Sequence, residues 1–394
     1  MRAEAAITQS QIVENALEDL VERLPMLADG TKIDLALLFA SDWYEDEYAE
    51  LMEGLKQRLG DAIILGCSGQ GVIGPGEEIE TSPAIALQLF SLPGAMLRPV
   101  VLTPEDIESP MMANTWAERL EHLTSEQVNA WLFFVDPFTS NQDRFLTLMK
   151  TMNRGVPVIG GLASGDQRKQ RSFLFLNGEV LDRGAVGLAV GGDYEVRTVV
   201  SQGAQPIGET WTITGVQANA ILTIGMRPAL DVLQETFGGL SEDMQERART
   251  NLLIGLAMDE YKDDFGRGDF LIRNLLGVDR DTGAVVINAF PREGQTVQFQ
   301  VRDPEAADDE LSVLLKRARD ELGGREPVGA LLCACNGRGV GLFGEPHHDA
   351  QKLGELMNNV PVAGFFCNGE IGPVGNENYI HGFTASIALI VPKA

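Results

Sequence analysis

Pro361-Val362-Ala363-Gly364-Phe365-Phe366-Cys367-Asn368-Gly369-Glu370-Ile371-Gly372-Pro373 runs from an apolar strand into a polar tip. Proline stands where a strand tolerates it, at the start, and Val362, Phe365 and Phe366 make a short buried strand. The chain then breaks into a polar tip, Cys367-Asn368-Gly369-Glu370, because Asn and Gly both accept positive φ at little cost. Gly372-Pro373 closes the loop. An apolar strand thus delivers a thiol, an amide and a carboxylate to one spot, as a binding site or as a structural turn.

The pattern recurs. PVIGGLASGD at 157–166 aligns without gaps on PVAGFFCNGE at 361–370. Cys67-Ser68-Gly69-Gln70 reads as a third copy of the tip, followed by Ile73-Gly74-Pro75 as Ile371-Gly372-Pro373 follows the last. An alternating apolar strand comes after each tip: AIALQL at 84–89, AVGLAV at 185–190 and ASIALI at 385–390. Before each come a strand and a helix: 34–40 with 45–59, 130–136 with 142–152, and 328–334 with 346–357. The repeating unit is therefore β-α-β-tip-β, seen three times.

A strand, a helix and a second strand make a right-handed crossover with parallel strands. Their C-terminal ends share one edge of the sheet, where open α/β folds place ligands. In the last unit that edge carries Cys335-Asn336-Gly337-Arg338 beside Cys367-Asn368-Gly369-Glu370. The Gly-rich segment 337–344 then runs into a helix beginning near Pro346, with His347 and His348 in its first turn. Free backbone N–H groups there suit an anion. The candidate ligand-binding set is Cys335, Asn336, Arg338, His347, Cys367, Asn368 and Glu370, faced by Cys67, Ser68 and Gln70. The amides supply donors and acceptors, Glu370 holds an ammonium, and Arg338 or the free N–H groups hold a carboxylate.

The remaining chain predicts a helix over 10–24 capped by Ser10, a helix around 111–123, and short alternating stretches over 201–224 read as strands and a hinge. Helices at 228–237 and 242–249 follow, then strands at 252–258, 269–276, 284–289 and 296–301. A helix over 304–322 has Pro304 in its first turn, and a final strand runs over 381–391. The expected fold is mixed α/β: two related sheet-containing domains built from repeated β-α-β-β units, with helices packed on the sheets. The expected boundaries are an N-terminal helix in 1–30, a first domain over 31–204, a connecting region over 205–230 and a second domain over 231–394. The strands of 252–301 add antiparallel pairing, so the sheets are not purely parallel.

The 394 residues, 44% hydrophobic and 22% charged, describe a globular protein with ample core. The formal net charge of −26 argues against nucleic acid and against anionic membrane surfaces. There is no signal-type segment, and no apolar run approaches the roughly 20 residues of a membrane span. The expectation is a cytoplasmic protein with no membrane insertion. Four cysteines, Cys67, Cys333, Cys335 and Cys367, are too few for a disulfide scaffold and are expected as reduced thiols.

Each candidate also has a structural reading. Cys333 alternates with Cys335 and faces the core, Asn336 and Asn368 serve as turn residues, and Arg338 pairs with Glu370. His347 and His348 are helix-start surface residues, and His381 opens an edge strand. Cys333-x-Cys335, Cys367 and the two histidines contain enough soft ligands for zinc, but strand alternation separates the first two, so no metal and no cofactor is expected. A cysteine nucleophile, Cys367 or Cys335 with His347, His348 or His381 as base, is the enzymatic alternative. It lacks any local signature. No P-loop, dinucleotide fingerprint or nucleophile elbow is present.

At ILGCSGQGVIGPGEE (64–78), PVIGGLASGD (157–166), GALLCACNGRGVGLFG (329–344) and PVAGFFCNGEIGPVG through HGFTASIAL (361–389), the sequence resembles the FIST family, which pairs a FIST N domain with a FIST C domain. The resemblance covers roughly 30–390. It implies an intracellular sensory or signal-transduction module binding a small ligand, an amino acid or derivative being the expected class. The resemblance also implies that family members can be fused to a signalling output or an F-box. Residues 1–30 hold one helix, too little for an F-box, so a downstream signalling protein is expected as partner. A thiol-dependent enzyme of acyl or amide chemistry and a protein-interaction scaffold are the alternatives. The family offers no catalytic residues to carry over.

Overall fold

The computed structural model describes residues 1–109, 127–152, 155–166, 168–260, 262, 265, 268–375 and 377–393. The helix expected around 111–123 and His122 lie outside them. The fold is mixed α/β, and the chain divides into two compact units: Met1–Val200 with Leu314–Ala394, and Ser201–Val313.

The first unit holds all three copies of the repeat. Each copy begins with two parallel strands joined by a helix. These are Leu35–Ser41, Tyr48–Leu59 and Ile63–Gly69; Val128–Val135, Gln142–Met152 and Val158–Leu162; and Gly329–Cys335, His348–Leu356 and Val362–Cys367. A third strand pairs antiparallel with the first: Ile85–Ser91, Ala185–Gly192 and Ala385–Pro392. Three sheets of six strands result.

The hairpin after each second strand leaves its own sheet. Val72–Gly74 with Glu77–Ile79 extends the third copy, Ile73 opposite Gly364. Leu174–Leu176 with Glu179–Leu181 extends the first, Phe175 opposite Gly66. Glu370–Val374 with Glu377–His381 extends the second, Ile371 opposite Gly160. The exchange is cyclic, and none of the three copies completes its sheet alone. His381 therefore ends a hairpin strand, buried, instead of opening the last strand, which starts at Ala385.

The exchange also corrects the register of the repeat. Gly66, Gly160 and Gly364 are equivalent: a Cβ on each would lie 1.7, 1.9 and 1.8 Å from the carbonyl oxygens of Leu38, Phe133 and Leu332. Counting from these glycines, Gly69-Gln70-Gly71-Val72 is the counterpart of Cys367-Asn368-Gly369-Glu370. The Cys67-Ser68-Gly69-Gln70 match is offset by two residues. The Ile73-Gly74-Pro75 match carries the right offset, because those residues pair in the hairpins.

Phe39, Phe134 and Phe365, one from each copy, meet in the core. Their ring centroids lie 5.1 to 5.6 Å apart, and all three are fully buried. Cys67, Cys333 and Cys367 pack in the same cluster, and all four cysteines are free thiols.

At the N-terminus, Arg2–Thr8 forms a strand on Ile85–Ser91, although the sequence suggested only a helix in 1–30. The helix runs Val13–Arg23. Ile12 occupies its N-cap position and is exposed, and Ser10 Oγ accepts from Ile12 N in a turn instead of capping.

The second unit is a seven-stranded antiparallel sheet. Its order is Ala204–Gln217, Thr296–Arg302, Leu252–Ala257, Phe270–Asp279, Ala284–Ile287, Ala220–Ile224 and Arg227–Pro228, with helices Ala229–Gly238 and Glu242–Asn251. The expected connecting region 205–230 thus belongs to this sheet. Register shifts at Ile207/Trp211 and Ile213/Gly215 break the two-residue period that would have revealed the first strand.

Candidate functional site

The C-terminal tips of the three second strands interlock. Ser68 Oγ donates to Ser164 O at 2.8 Å and accepts from Phe173 N at 2.9 Å. Ser164 Oγ accepts from Gln70 N at 2.7 Å and donates to Phe366 O. Asn368 Nδ2 donates to Ala163 O at 3.1 Å, and Asn336 Nδ2 donates to Asn368 Oδ1 at 2.9 Å. Ser68 and Ser164 are buried. Ser68 and Asn368, read from sequence as ligand groups, are therefore joints between the copies, and Asn336 braces Asn368 from within the third copy.

Beneath the third tip lies a buried ionisable cluster. Arg338 is fully buried and grips Asp349 with two bonds, Nε to Oδ2 at 2.6 Å and Nη2 to Oδ1 at 2.9 Å. Its partner is Asp349, where the sequence suggested Glu370. Burial would raise the Asp349 carboxyl, but the Arg338 charge and hydrogen bonds from Arg338 and His348 hold it well below the usual carboxylate range. Phe343 lies over the Arg338 guanidinium at 5.2 Å and stacks on His348. The hairpin exchanged from the first copy supplies two more carboxylates. Glu78 accepts from Ala350 N at 2.8 Å, and Glu80 accepts from Val340 N at 2.9 Å. These fill the anion-binding N–H groups that the Gly-rich segment promised. His347 Nδ1 accepts from Glu78 N at 2.8 Å, so that nitrogen carries no proton.

Glu370 is fully buried, and burial pushes it up to about 8. Thr384 N donates to its Oε2 at 3.0 Å. The Cys367 sulfur sits 3.0 Å from Glu370 Oε1 and 3.2 Å from Ala334 O. A thiol has one proton, and a backbone carbonyl cannot donate. Both contacts are satisfied when the carboxyl O–H of Glu370 donates to Sγ and the thiol donates to Ala334 O. Burial first, then Glu370, pushes the Cys367 thiol well up. Cys67 and Cys333 are likewise buried and raised. Cys335 is half-buried, its sulfur accepting from Gly337 N at 3.4 Å.

A pH dependence follows. Burial, with Asp349 nearby, also pushes Glu78 up to about 8. Folding therefore takes up protons at Glu78 and Glu370 that the unfolded chain, with carboxyls near 4.5, has released. The stability these groups contribute is full below pH 4.5 and is lost as pH rises to about 8. Urea unfolding across this range should show the fall. Glu370→Gln should remove one group's share and be more stable than the parent at pH 8. A flat profile would contradict the protonated cluster.

The open part of the tip region is elsewhere. A cleft of about 500 Å³ is lined by Asp42, Trp43, Gln70, Gly165, Asp166 and Arg168. Asp42 and Trp43 follow the first strand of copy one, and Gln70 and Gly165-Asp166 belong to the tips of copies one and two. Trp43 is 63% exposed, a large apolar ring left in solvent. Burial raises the Asp42 carboxyl, and Asp166 raises it further. Asp166 is held low, chiefly by the backbone N–H of Arg168. Arg168 Nε reaches Asp166 Oδ1 at 3.3 Å and stays largely exposed. Of the residues singled out from sequence, only Gln70 lines this cleft. Asp166 was visible as the counterpart of Glu370, whereas Asp42 and Trp43 had no motif to mark them. Among the described residues no cluster of three or more His, Cys, Asp or Glu is arranged to hold a metal ion.

The FIST N domain model matches residues 34–227, and the FIST C domain model matches 229–373. A protein of Mycobacterium tuberculosis, described as uncharacterized, is 39% identical over 365 residues, 93% of each chain. One of Mycobacterium bovis is 37% identical over 362 residues, 92% of each. Among solved structures, a cyanuric acid hydrolase from A. caulinodans covers 100% of this chain and 99% of its own at 7% identity and a TM-score of 0.37. A second cyanuric acid hydrolase matches at 9% identity and a TM-score of 0.33, covering all of both chains.

Proposed function

This chain belongs to the FIST family, whose domains are generally ligand-binding sensory modules of signal transduction, and we propose that it senses a small ammonium compound, an amino acid or derivative, in the Asp42–Asp166 cleft. The observation that carries this reading is the carboxylate pair beside an exposed indole. Asp166 raises Asp42, so a cation between them relieves repulsion and gains two partners. The Trp43 face adds a cation–π contact of about 0.5–2 kcal/mol. Arg168 swings from Asp166 to the ligand carboxylate, and the Gln70 amide serves either end. Glu370 and Arg338 leave that role, because both are fully buried and bonded within the protein. A downstream protein partner reads the bound state.

A thiol-dependent enzyme is the weaker reading. It needs a reachable thiolate; Cys367 is fully buried and its thiol is raised, which leaves the half-buried Cys335 of the two candidate thiols.

The test is a ligand screen read by isothermal titration of the intact protein. Asp166→Asn and Trp43→Ala, both at the open cleft, should keep the fold and weaken the best amine ligand by about tenfold or more. Unchanged affinity in both variants would remove the cleft as the site.

A further inference from the structure

The second unit contains a cavity that the reading above does not use. It measures about 270 Å³ and is lined by Gln202, Phe265, Phe270, Ile272, Gln298, Gln300 and neighbouring residues. It lies against one face of the antiparallel sheet. Val297, Phe299 and Val301 point to the opposite face, into the core of the unit, so Gln298 and Gln300 alternate onto the cavity side. Glutamines on a sheet face ordinarily meet water, yet Gln300 is only 2% exposed.

The polar groups here are unequally satisfied. Gln202 uses both ends of its amide, donating to Phe270 O at 2.7 Å and accepting from Ile272 N at 3.0 Å. Gln298 donates to Gly208 O at 3.2 Å. Gln300 makes one long bond, Nε2 to Gln298 Oε1 at 3.4 Å, and its carbonyl oxygen has no hydrogen-bond partner among the described residues. That oxygen opens onto the cavity, where an incoming donor can reach it. Gly255 makes the room. A Cβ there would stand 2.9 Å from Phe270 Cβ and 3.2 Å from Gln300 Nε2. Phe265 and Phe270 lie 5.2 Å apart and supply flat apolar walls.

We propose that this cavity is a second ligand site, for a small aromatic primary amide. The carboxamide of Gln300 presents one free acceptor and one weakly used donor side by side. A ligand amide presents the reverse pair, so the two close a ring of two hydrogen bonds while the ligand ring lies against the phenylalanines. A carboxylate ligand cannot donate to Gln300 Oε1, and buried Glu310 on the cavity wall repels it.

Benzamide is the probe, with benzoate as the matched control, titrated into the intact protein and followed through the Ile272 methyl resonance, assigned with Ile272→Val. Benzamide should shift that resonance saturably and benzoate should not. Gln300→Leu, close in size, should weaken benzamide about tenfold or more, with the other isoleucine methyls confirming its fold. Asp166→Asn should leave this binding unchanged, which separates it from the amine cleft. No saturable benzamide shift, equal binding of benzoate, or full affinity in a folded Gln300→Leu variant would each overturn the proposal.

Discussion

Gly364→Ala is expected to cost more than about 3 kcal/mol and to leave little folded protein under mild denaturant. The new Cβ would lie 1.8 Å from the carbonyl oxygen of Leu332 and 2.7 Å from its carbon. The obstacle is backbone. Leu332 is locked between Gly364 on one side and Ile387 on the other, inside the sheet, so no rotamer change relieves the overlap. Gly66→Ala and Gly160→Ala should fail in the same way, since each stands at the same place in its copy. Gly341→Ala is the control. It sits in the short helix Val340–Phe343 with nothing within 4 Å of an added Cβ, and it should be neutral or stabilising by up to about 1 kcal/mol. Urea unfolding of the four variants measures this. A Gly364→Ala protein within about 0.5 kcal/mol of the parent would contradict the three-copy geometry.

Arg338→Met should destabilise the protein by about 3–5 kcal/mol. Methionine fills much of the volume but leaves Asp349 buried with its main counter-charge gone and Glu78 still beside it. Asp349→Leu alone should cost a similar amount, by stranding Arg338. The double variant should cost clearly less than the two single losses added, because replacing both charges with apolar groups removes the desolvation penalty along with the attraction. Additive losses in the cycle would mean that Arg338 acts through packing on Phe343 and not through Asp349.

Much of the fold was legible in the sequence. The nine strands and three helices that make the three copies have apolar runs or helical stripes of their own, and their order survives in the structure. What the sequence hid was long-range. The hairpins at 72–79, 174–181 and 370–381 carry ordinary alternating patterns, and nothing local says that each joins the sheet of another copy. The misplaced Cys67-Ser68-Gly69-Gln70 match has the same cause. It rests on letters at a tip, whereas the invariant of the geometry is the glycine under a neighbouring carbonyl. The candidate site was half legible. Strand ends did mark the region, and Asn336, Asn368, Ser68 and Gln70 do gather there. Their chemistry was misread because residue type shows what a side chain can bond, not whether the protein already bonds it. Glu78 is the clearest case: a residue of the first copy that completes the ionic cluster of the third. Trp43 could have been suspected, as a tryptophan set beside an aspartate directly after a strand.

The proposed cleft holds an ammonium group between Asp42 and Asp166. Isothermal titration of the intact protein with the common amino acids, each beside its N-acetyl form, tests it most directly. Saturable heat is expected for at least one amino acid, abolished by N-acetylation, which removes the positive charge and leaves the carboxylate and side chain in place. That heat should also be lost in Asp166→Asn. Equal binding of the acetylated form, or no binding by any amino acid, would contradict the ammonium site.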